Sequence, residues 1–223
     1  LTNKGKIVPL SLAENWIRSR MRHSVMQIRD GFDTYRFDLA SQSIYEFIWD
    51  EYCDWYIELA KISLNEPSTS ETEKLAIRYT LVEMLEMSLR ALHPIMPYIT
   101  DEIWLKLAPM LGKDGKSIML QPFPNVSRLT SDPQAELAVE WIRAFVLGVR
   151  RIRAENNIEP HRRISVQVQG GSAQERAWLD SYELYIRQLA RTDSIERVLL
   201  GGDDCATALV GEMTVLMPLA DLI

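Results

Sequence analysis

The sequence predicts a mainly α protein in which a helical bundle is followed by a small α+β subdomain. Apolar residues recur at three- and four-residue spacing through most of the chain before Trp104, which is typical of amphipathic helices. Residue pairs that cap helix N-termini precede several of these stripes. At Ile164, Val166 and Val168 the spacing changes to alternation, as in a half-buried strand. We expect the bundle in residues 1–125 and the α+β subdomain in residues 126–223.

The first two helices are predicted from a cap and from apolar stripes. Ser11 and Glu14 form a capping box, and the stripe that follows is expected to end near residues 31–34. A second helix is expected over about 38–64, where two adjacent stripes predict packing against more than one neighbour. The second of these stripes consists of Tyr45, Trp49, Cys53 and Tyr56.

Two further helices complete the predicted bundle. A third helix is expected after a capping box at residues 70–73, and Pro94 stops or kinks it. Thr100 is expected to cap a short fourth helix whose first turn holds Asp101 and Glu102. The stretch 109–133 is predicted to be loop-like, and it contains the expected boundary between the two parts of the chain.

The second part of the chain is predicted to follow the order α-β-α-β-β-β. Asp132 and Pro133 begin a fifth helix, as cap and first residue, and this helix ends before Pro160. Residues 164–168 form a strand, and Ser172 caps the next helix. The last three strands are expected at 197–200, 207–210 and 213–217.

Composition indicates a globular protein of ordinary type. Hydrophobic residues make up 47% and charged residues 25% of the 223 residues, and no apolar run is long enough to span a bilayer. Two cysteines, Cys53 and Cys205, favour a reducing cytoplasm over a disulfide framework. The first ten residues lack the features of a secretory signal and an initiator Met, so we expect a piece of a longer chain.

The charge of the chain is acidic overall but locally basic. The formal net charge is −6, which argues against a typical nucleic-acid binder. Arginines are nevertheless concentrated in residues 18–36 and 143–163. Affinity for phosphate follows local charge. A solvated helix face remains the alternative interpretation of each single arginine.

The aromatic residues beside the first basic stretch suggest binding of unpaired RNA bases. Such bases are recognised by stacking on aromatic rings or guanidinium planes. Aromatic residues at helical spacing usually belong to a core, and we expect this for Tyr52 and Trp55. Tyr35 and Phe37 instead flank Arg36 in a predicted non-helical link, where side chains can project. Motifs typical of nucleotide-binding loops, hydrolases or metalloproteases are absent from the sequence.

Three separated segments resemble the anticodon-binding region of the valyl-tRNA synthetases, which are class I aminoacyl-tRNA synthetases. They are DLASQSIYEFIWDEYCDWYIELAK (38–61), LHPIMPYITDEIW (92–104) and RRIRAENNIEP (150–160). The second segment is similar to one shared by the enzymes for valine, isoleucine, leucine and methionine. The Cys-Asp-Trp-Tyr portion at 53–56 points to the valyl enzymes in particular.

The resemblance implies the class I synthetase anticodon-binding bundle and a part in charging valine tRNA. The parent enzyme would use ATP and magnesium in a Rossmann-type catalytic domain with HIGH and KMSKS signatures, which this sequence lacks. We therefore expect this chain alone to be non-catalytic and to bind no cofactor or metal. Its expected partners are the anticodon stem-loop of valine tRNA and, in the full enzyme, the catalytic domain and a C-terminal coiled coil. We expect a cytoplasmic location without a membrane partner.

Nine residues are the candidate tRNA contacts. They comprise arginines of the first helix for phosphates or base edges, three residues of the following link for bases, and three residues of the fifth helix: Arg18, Arg20, Arg22, Tyr35, Arg36, Phe37, Arg150, Arg153 and Asn156.

Three alternatives remain open at this point. In the first, the chain is the same module of a sister synthetase, the isoleucyl enzyme being nearest. In the second, it is a helical scaffold that binds only protein. In the third, it is a free-standing enzyme. A scaffold would show no tRNA affinity, and a free-standing enzyme would need a catalytic constellation that the sequence does not contain.

Overall fold

The computed structural model describes residues 10–159, 161–202 and 205–218. The chain forms two compact units, Leu1–Glu136 and Leu137–Ile223. This division falls inside a helix, whereas the sequence places its division after residue 125, ahead of that helix. In the described residues, no helix combines the length and the apolar composition needed to cross a lipid bilayer.

The first unit is a helical bundle, as the sequence predicts. Its α-helices are α1 (Leu12–Asp33), α2 (Phe37–Glu46), α3 (Ile57–Asn65), α4 (Glu71–Leu92) and α5 (Pro97–Leu107). A π-helical segment, Phe47–Tyr56, joins α2 to α3 without a break, so the predicted second helix is continuous. We call this continuous helix, residues 37–65, the rod. Three short 3-10 turns follow α5, at Ala108–Leu111, Ile118–Leu120 and Val126–Arg128.

The start of α5 differs from the sequence prediction. The helix begins at Pro97, whose fixed φ suits the first helical position, and Thr100 lies inside it. The Thr100 hydroxyl donates to the Met96 carbonyl at 2.7 Å instead of capping. The Asp101 carboxylate accepts from the Ile118 backbone N–H at 2.7 Å and from the Ser117 hydroxyl at 2.9 Å. Asp101 therefore fixes the following 3-10 turn.

The apolar stripe of α1 supplies part of the core of the first unit. Ile17, Met21 and Val25 are almost fully buried. At the end of the same helix, a Cβ on Gly31 would lie 2.9 Å from the Ala40 backbone nitrogen of α2. Gly31 and Ala40 therefore allow the two helix backbones to approach closely, and a larger residue at position 31 would separate them.

A buried carboxylate links α4, α5 and the loop that follows. Glu86 is fully buried and accepts from Arg90 Nε at 2.8 Å, from Lys113 Nζ at 2.6 Å and from Trp104 Nε1 at 2.9 Å. Burial raises the pKa of Glu86, but these hydrogen bonds outweigh burial, so its pKa lies below the ordinary value. The charge of Glu86 is thus compensated inside the fold.

The second unit combines helices with a four-stranded sheet. Helix α6 (Pro133–Glu155) begins in the first unit, and the Asp132 carboxylate caps it by accepting from the Ala135 N–H at 3.0 Å, as predicted. The other elements are β1 (Ile164–Gly170), α7 (Ala173–Ala190), β2 (Thr192–Arg197), β3 (Cys205–Val210) and β4 (Met213–Pro218). The order α-β-α-β-β-β is therefore confirmed.

The sheet has the strand order β2-β1-β4-β3. β1 and β2 are parallel, as their connection through α7 allows, and β4 is antiparallel to both β1 and β3. The predicted strand at 197–200 is wrong, because pairing with β1 begins at Thr192 and the backbone leaves the sheet after Val198. Leu199 and Leu200, which suggested a strand, are exposed.

Candidate nucleic-acid interface

The turn between α1 and α2 places a tyrosine in a backbone conformation that favours glycine. The Arg36 N–H donates to the Gly31 carbonyl at 2.8 Å and the Tyr35 N–H to the Phe32 carbonyl at 3.2 Å. This helix-ending motif requires a left-handed residue, usually glycine, and Tyr35 occupies that position with φ 58°. The Tyr35 ring is 81% exposed. Side-chain packing therefore does not account for a tyrosine at this position.

Phe37 lies beside Tyr35 at the start of α2. The two rings meet edge to face, with centroids 6.2 Å apart, and the half-buried Phe32 ring lies 5.9 Å from Phe37. Phe37 is the first residue of α2 and not part of a non-helical link, so that detail of the prediction is wrong. Its side chain is nevertheless 53% exposed.

A second exposed aromatic pair lies further along the same rod. Tyr45 and Trp49 stack with centroids 6.3 Å apart and planes 12° apart, and their side chains are 60% and 56% exposed. The sequence assigned both to a packed stripe, which is wrong for these two residues. Of that stripe, Tyr56 is buried and Cys53 is half-buried.

These four side chains, Tyr35, Phe37, Tyr45 and Trp49, are called the aromatic surface below. Phe37, Tyr45 and Trp49 are spaced at multiples of four residues on the rod, and Ser41 between them is exposed as well. Rings exposed in this way offer flat faces on which unpaired bases stack. Sequence reasoning missed Tyr45 and Trp49 because spacing alone does not show which of two adjacent stripes faces solvent.

The charged side chains around the turn between α1 and α2 are exposed to solvent. Arg36 binds the Asp38 carboxylate through two hydrogen bonds of 3.0 and 2.7 Å, which lower the pKa of Asp38 from its usual value to about 2. An exposed pair of this kind contributes little to stability, so Arg36 is able to exchange its partner for a phosphate. The Arg29 guanidinium lies 5.5 Å from the centre of the Phe123 ring.

The candidate arginines of α1 are engaged within the first unit. Arg18 forms an ion pair with Glu83. Arg20 contacts Glu51 at 2.7 Å and Glu136 at 3.2 Å. Arg22 differs, because its Nη1 donates to the backbone carbonyls of Val126 at 3.1 Å and Leu129 at 3.3 Å.

These contacts separate the candidate residues into two places. At 1.5 Å per residue, Arg20 lies about 20 Å along α1 from its C-terminal end. The structure therefore brings Tyr35, Arg36 and Phe37 together, and it places Arg18, Arg20 and Arg22 elsewhere on the helix. Contact of these arginines with phosphate remains a prediction.

The three candidate residues of α6 have different surroundings. Arg150 is exposed and donates to the Leu189 carbonyl at 3.3 Å. Arg153 is only 6% exposed, and its guanidinium donates to four backbone carbonyls. Asn156 donates to the Ile152 carbonyl at 2.9 Å, within its own helix end. Arg153 is thus a structural residue, and only Arg150 presents an exposed charge.

The structure is a helical bundle whose exposed aromatic surface has rings suited to stacking with unpaired bases. The family model described as the anticodon-binding domain of tRNA ligase matches residues 14–168, more than half of the chain. The chain belongs to this family. It is therefore an anticodon-binding module of an aminoacyl-tRNA synthetase, and tRNA is its partner.

Proposed function

We propose that this chain recognises the anticodon stem-loop of valine tRNA as part of a valine–tRNA ligase. Membership of the anticodon-binding family supports tRNA as the ligand. The choice of valine rests on the resemblance of residues 38–61 and 150–160 to the valyl enzymes, and within it on the Cys-Asp-Trp-Tyr portion at 53–56.

The aromatic surface is the observation that carries this proposal. Bases of an anticodon loop are splayed and unpaired, and each base stacked on an aromatic side chain contributes about 1–3 kcal/mol by alanine substitution. Tyr35 and Phe37 would receive one base, and the Tyr45–Trp49 pair would extend the platform along the rod. Valine anticodons share their second and third bases, so specificity should be concentrated at these two.

Charge plays the smaller part in this arrangement. Arg36 would contact phosphate after leaving Asp38, which fixes the position of the RNA without reading its sequence. Arg18, Arg20 and Arg22 would have to exchange internal partners before binding phosphate. Arg150 would be the main contact from α6, with Arg153 and Asn156 holding the end of that helix.

The remaining activities belong to other parts of the proposed enzyme. ATP and magnesium would bind in its catalytic domain, and this chain would bind neither. Its partners within the enzyme would be that catalytic domain and a C-terminal coiled coil. The enzyme would work in the cytoplasm, without a membrane partner.

Alanine substitution in the Tyr45–Trp49 pair tests the proposal. Tyr45→Ala and Trp49→Ala should each weaken binding of a synthetic valine-tRNA anticodon stem-loop about 5- to 150-fold, the equivalent of one stacked base. Because both side chains are exposed, melting temperatures should stay close to that of the parent. The measurement is fluorescence anisotropy of labelled stem-loop, with thermal melts on the same samples.

Tyr98→Ala is the matched control, because Tyr98 is an even more exposed tyrosine on α5, outside the aromatic surface. It should leave the affinity unchanged. If Tyr45→Ala and Trp49→Ala bind the stem-loop as the parent does, bases do not stack on this surface and the proposed mode of recognition is wrong.

A further inference from the structure

The second unit contains a cavity that the proposed stacking of anticodon bases on the aromatic surface does not involve. It has a volume of about 400 Å³, within the range of small-molecule sites. It lies where the C-terminal ends of α6 and α7 meet the segment leading to β1. Its lining residues are Arg150, Arg153, Ala154, Ile158, His161, Leu189, Ala190 and Arg191. We call it the α6–α7 cavity.

The walls of the α6–α7 cavity have two distinct characters. One part is aliphatic and consists of Ala154, Ile158, Leu189 and Ala190. The other part carries three guanidinium groups and one imidazole, and no acidic side chain occurs among the described residues that line the cavity. An apolar wall beside a cationic one suits a ligand with a flat apolar ring and an anionic group.

Arg153 holds the cationic wall rigidly in place. Its guanidinium donates to the carbonyls of Arg162 and Arg191 at 2.7 Å each, and to those of Glu159 and Ala190 at 3.3 and 3.2 Å. Carbonyl oxygens carry only partial charge, so the positive charge of Arg153 is not cancelled there. Burial lowers the pKa of Arg153, and the neighbouring Arg191 charge lowers it further.

His161 is oriented as a further hydrogen-bond donor. Arg191 Nη1 lies 2.7 Å from His161 Nδ1. A guanidinium only donates, so Nδ1 accepts, and the proton of the neutral ring lies on Nε2. Arg191 itself ends α7 in a left-handed conformation, with φ 54°. Arg191 and His161 are therefore linked to each other at one side of the cavity, and both side chains carry N–H groups.

The ends of two helices oppose this positive charge without cancelling it. The C-terminus of an α-helix carries the equivalent of about half a negative charge. Near α7, however, Arg153 already binds the carbonyls of Ala190 and Arg191, and Arg150 binds that of Leu189 at 3.3 Å. The described lining therefore brings three guanidinium groups together without an acidic side chain, a setting suited to an anionic group.

We infer that the α6–α7 cavity binds a nucleoside 5′-phosphate, with the base against Ala154, Ile158 and Leu189 and the phosphate against Arg150, Arg191 and His161. The nucleotide is either a free mononucleotide or one unpaired nucleotide of a bound RNA. In the second form the inference rests on the proposed function, and it adds a second nucleotide site far along the chain from the aromatic surface.

Calorimetric titration of the whole chain tests the ligand chemistry. The probes are the four nucleoside 5′-monophosphates, the matching nucleosides and inorganic phosphate. At least one monophosphate should bind about tenfold more tightly than its nucleoside or inorganic phosphate, because only it contacts both walls. Equal affinity for inorganic phosphate, or no binding of any monophosphate, would overturn the inference.

Two substitutions locate the binding in the cavity without disturbing the core. Ala154→Glu places a carboxylate beside the guanidinium groups at an exposed helix position, and Arg191→Gly removes one charge where the backbone already favours glycine. Each should weaken monophosphate binding about tenfold or more. Arg151→Gln, an exposed α6 position outside the lining, should change it less than twofold. Unchanged binding in both cavity variants would overturn the inference.

Two further titrations distinguish the source of the nucleotide. A short single-stranded RNA that binds more tightly than the monophosphate, and loses that affinity in Ala154→Glu, assigns the site to RNA. Binding of the monophosphate alone assigns it to a free nucleotide. Monophosphate binding that is lost in Trp49→Ala but kept in Ala154→Glu would place the ligand on the aromatic surface and overturn the inference. Failure at the cavity and failure at the aromatic surface therefore give different results.

Discussion

Tyr35 has an exposed ring and a left-handed backbone conformation that is unfavourable for residues other than glycine. A left-handed conformation at a residue other than glycine costs about 1–3 kcal/mol. The Tyr35 ring is mostly exposed to solvent and contacts the half-exposed Phe37 ring edge to face, so side-chain packing offsets little of this strain energy. Strained, exposed positions of this kind are typical of binding sites.

Tyr35→Gly separates binding from folding at this position. Glycine relieves the backbone strain, at the expense of about 0.4–1 kcal/mol from the greater freedom of the unfolded chain. The variant should therefore melt at the same temperature as the parent or higher, while its affinity for the valine stem-loop falls about 5- to 150-fold. A variant that binds the stem-loop at full strength would remove Tyr35 from the interface.

Arg20 is expected to stabilise the fold more than it binds RNA. Replacing it with alanine leaves Glu51 and Glu136 without its hydrogen bonds, which should cost about 1–3 kcal/mol of unfolding free energy for this partly exposed group. Denaturant titration measures the loss, with Arg78→Ala at an exposed position of α4 as control. A phosphate contact would instead appear as a salt dependence of RNA binding that is shallower by roughly one unit, with stability unchanged.

At the residue scale, the sequence predicted what depends on neighbours along the chain. The exposure of Tyr35 and Phe37 followed from their place next to a helix end. The partners of Arg18 and Arg20 lie 65, 31 and 116 positions away, and no local pattern shows them. The outward orientation of Trp49 depends on which helices pack against the rod, which is also a tertiary property.

At the scale of elements, caps were predicted well and element starts less well. The capping boxes at Ser11, Ser70 and Ser172 formed because both partners are within three residues of each other. The start of α5 was misplaced because Pro97 and Thr100 both suit a helix N-terminus, and the contact of Asp101 with the later Ile118 selects between them. β2 was misplaced because its register depends on pairing with β1.

The link between α4 and α5 should depend on pH through Glu86. Its lowered pKa means that the ionised form stabilises the fold above the ordinary value of 4.5, and this stabilisation is lost as the pH falls through the lower pKa of the folded state. The free energy of unfolding of the parent should therefore fall, relative to that of Glu86→Gln, as the pH decreases below 4.5. Denaturant titrations of both proteins across pH measure this difference.

Glu14→Gln is the matched control with the opposite sign. Burial raises the pKa of Glu14, so its ionised form is disfavoured in the fold and protonation relieves that penalty. The parent should gain stability relative to Glu14→Gln as the pH falls through this raised pKa. Parallel pH profiles for the parent and Glu86→Gln would contradict the account of the Glu86 cluster.

At the scale of the whole molecule, the helical bundle and the α+β part were predicted from the sequence for different reasons. The first follows from apolar stripes and from the three segments that resemble a known family, and the family match extends from residue 14 to residue 168, within β1. Residues beyond that point were predicted from a helix cap with helical spacing, from alternation and from turn residues, which gave the element order but not the parallel pairing of β1 with β2.

The central claim is that the chain distinguishes valine tRNA from its nearest competitor by the anticodon. The most direct test is the affinity of the chain for two stem-loops that share one stem and carry the anticodon of valine or of isoleucine. A good hydrogen-bonded contact to a base edge discriminates against the wrong base by about 1–3 kcal/mol, so the valine stem-loop should bind about 5- to 150-fold more tightly. Equal affinity for the two, or preference for the isoleucine stem-loop, would contradict the claim.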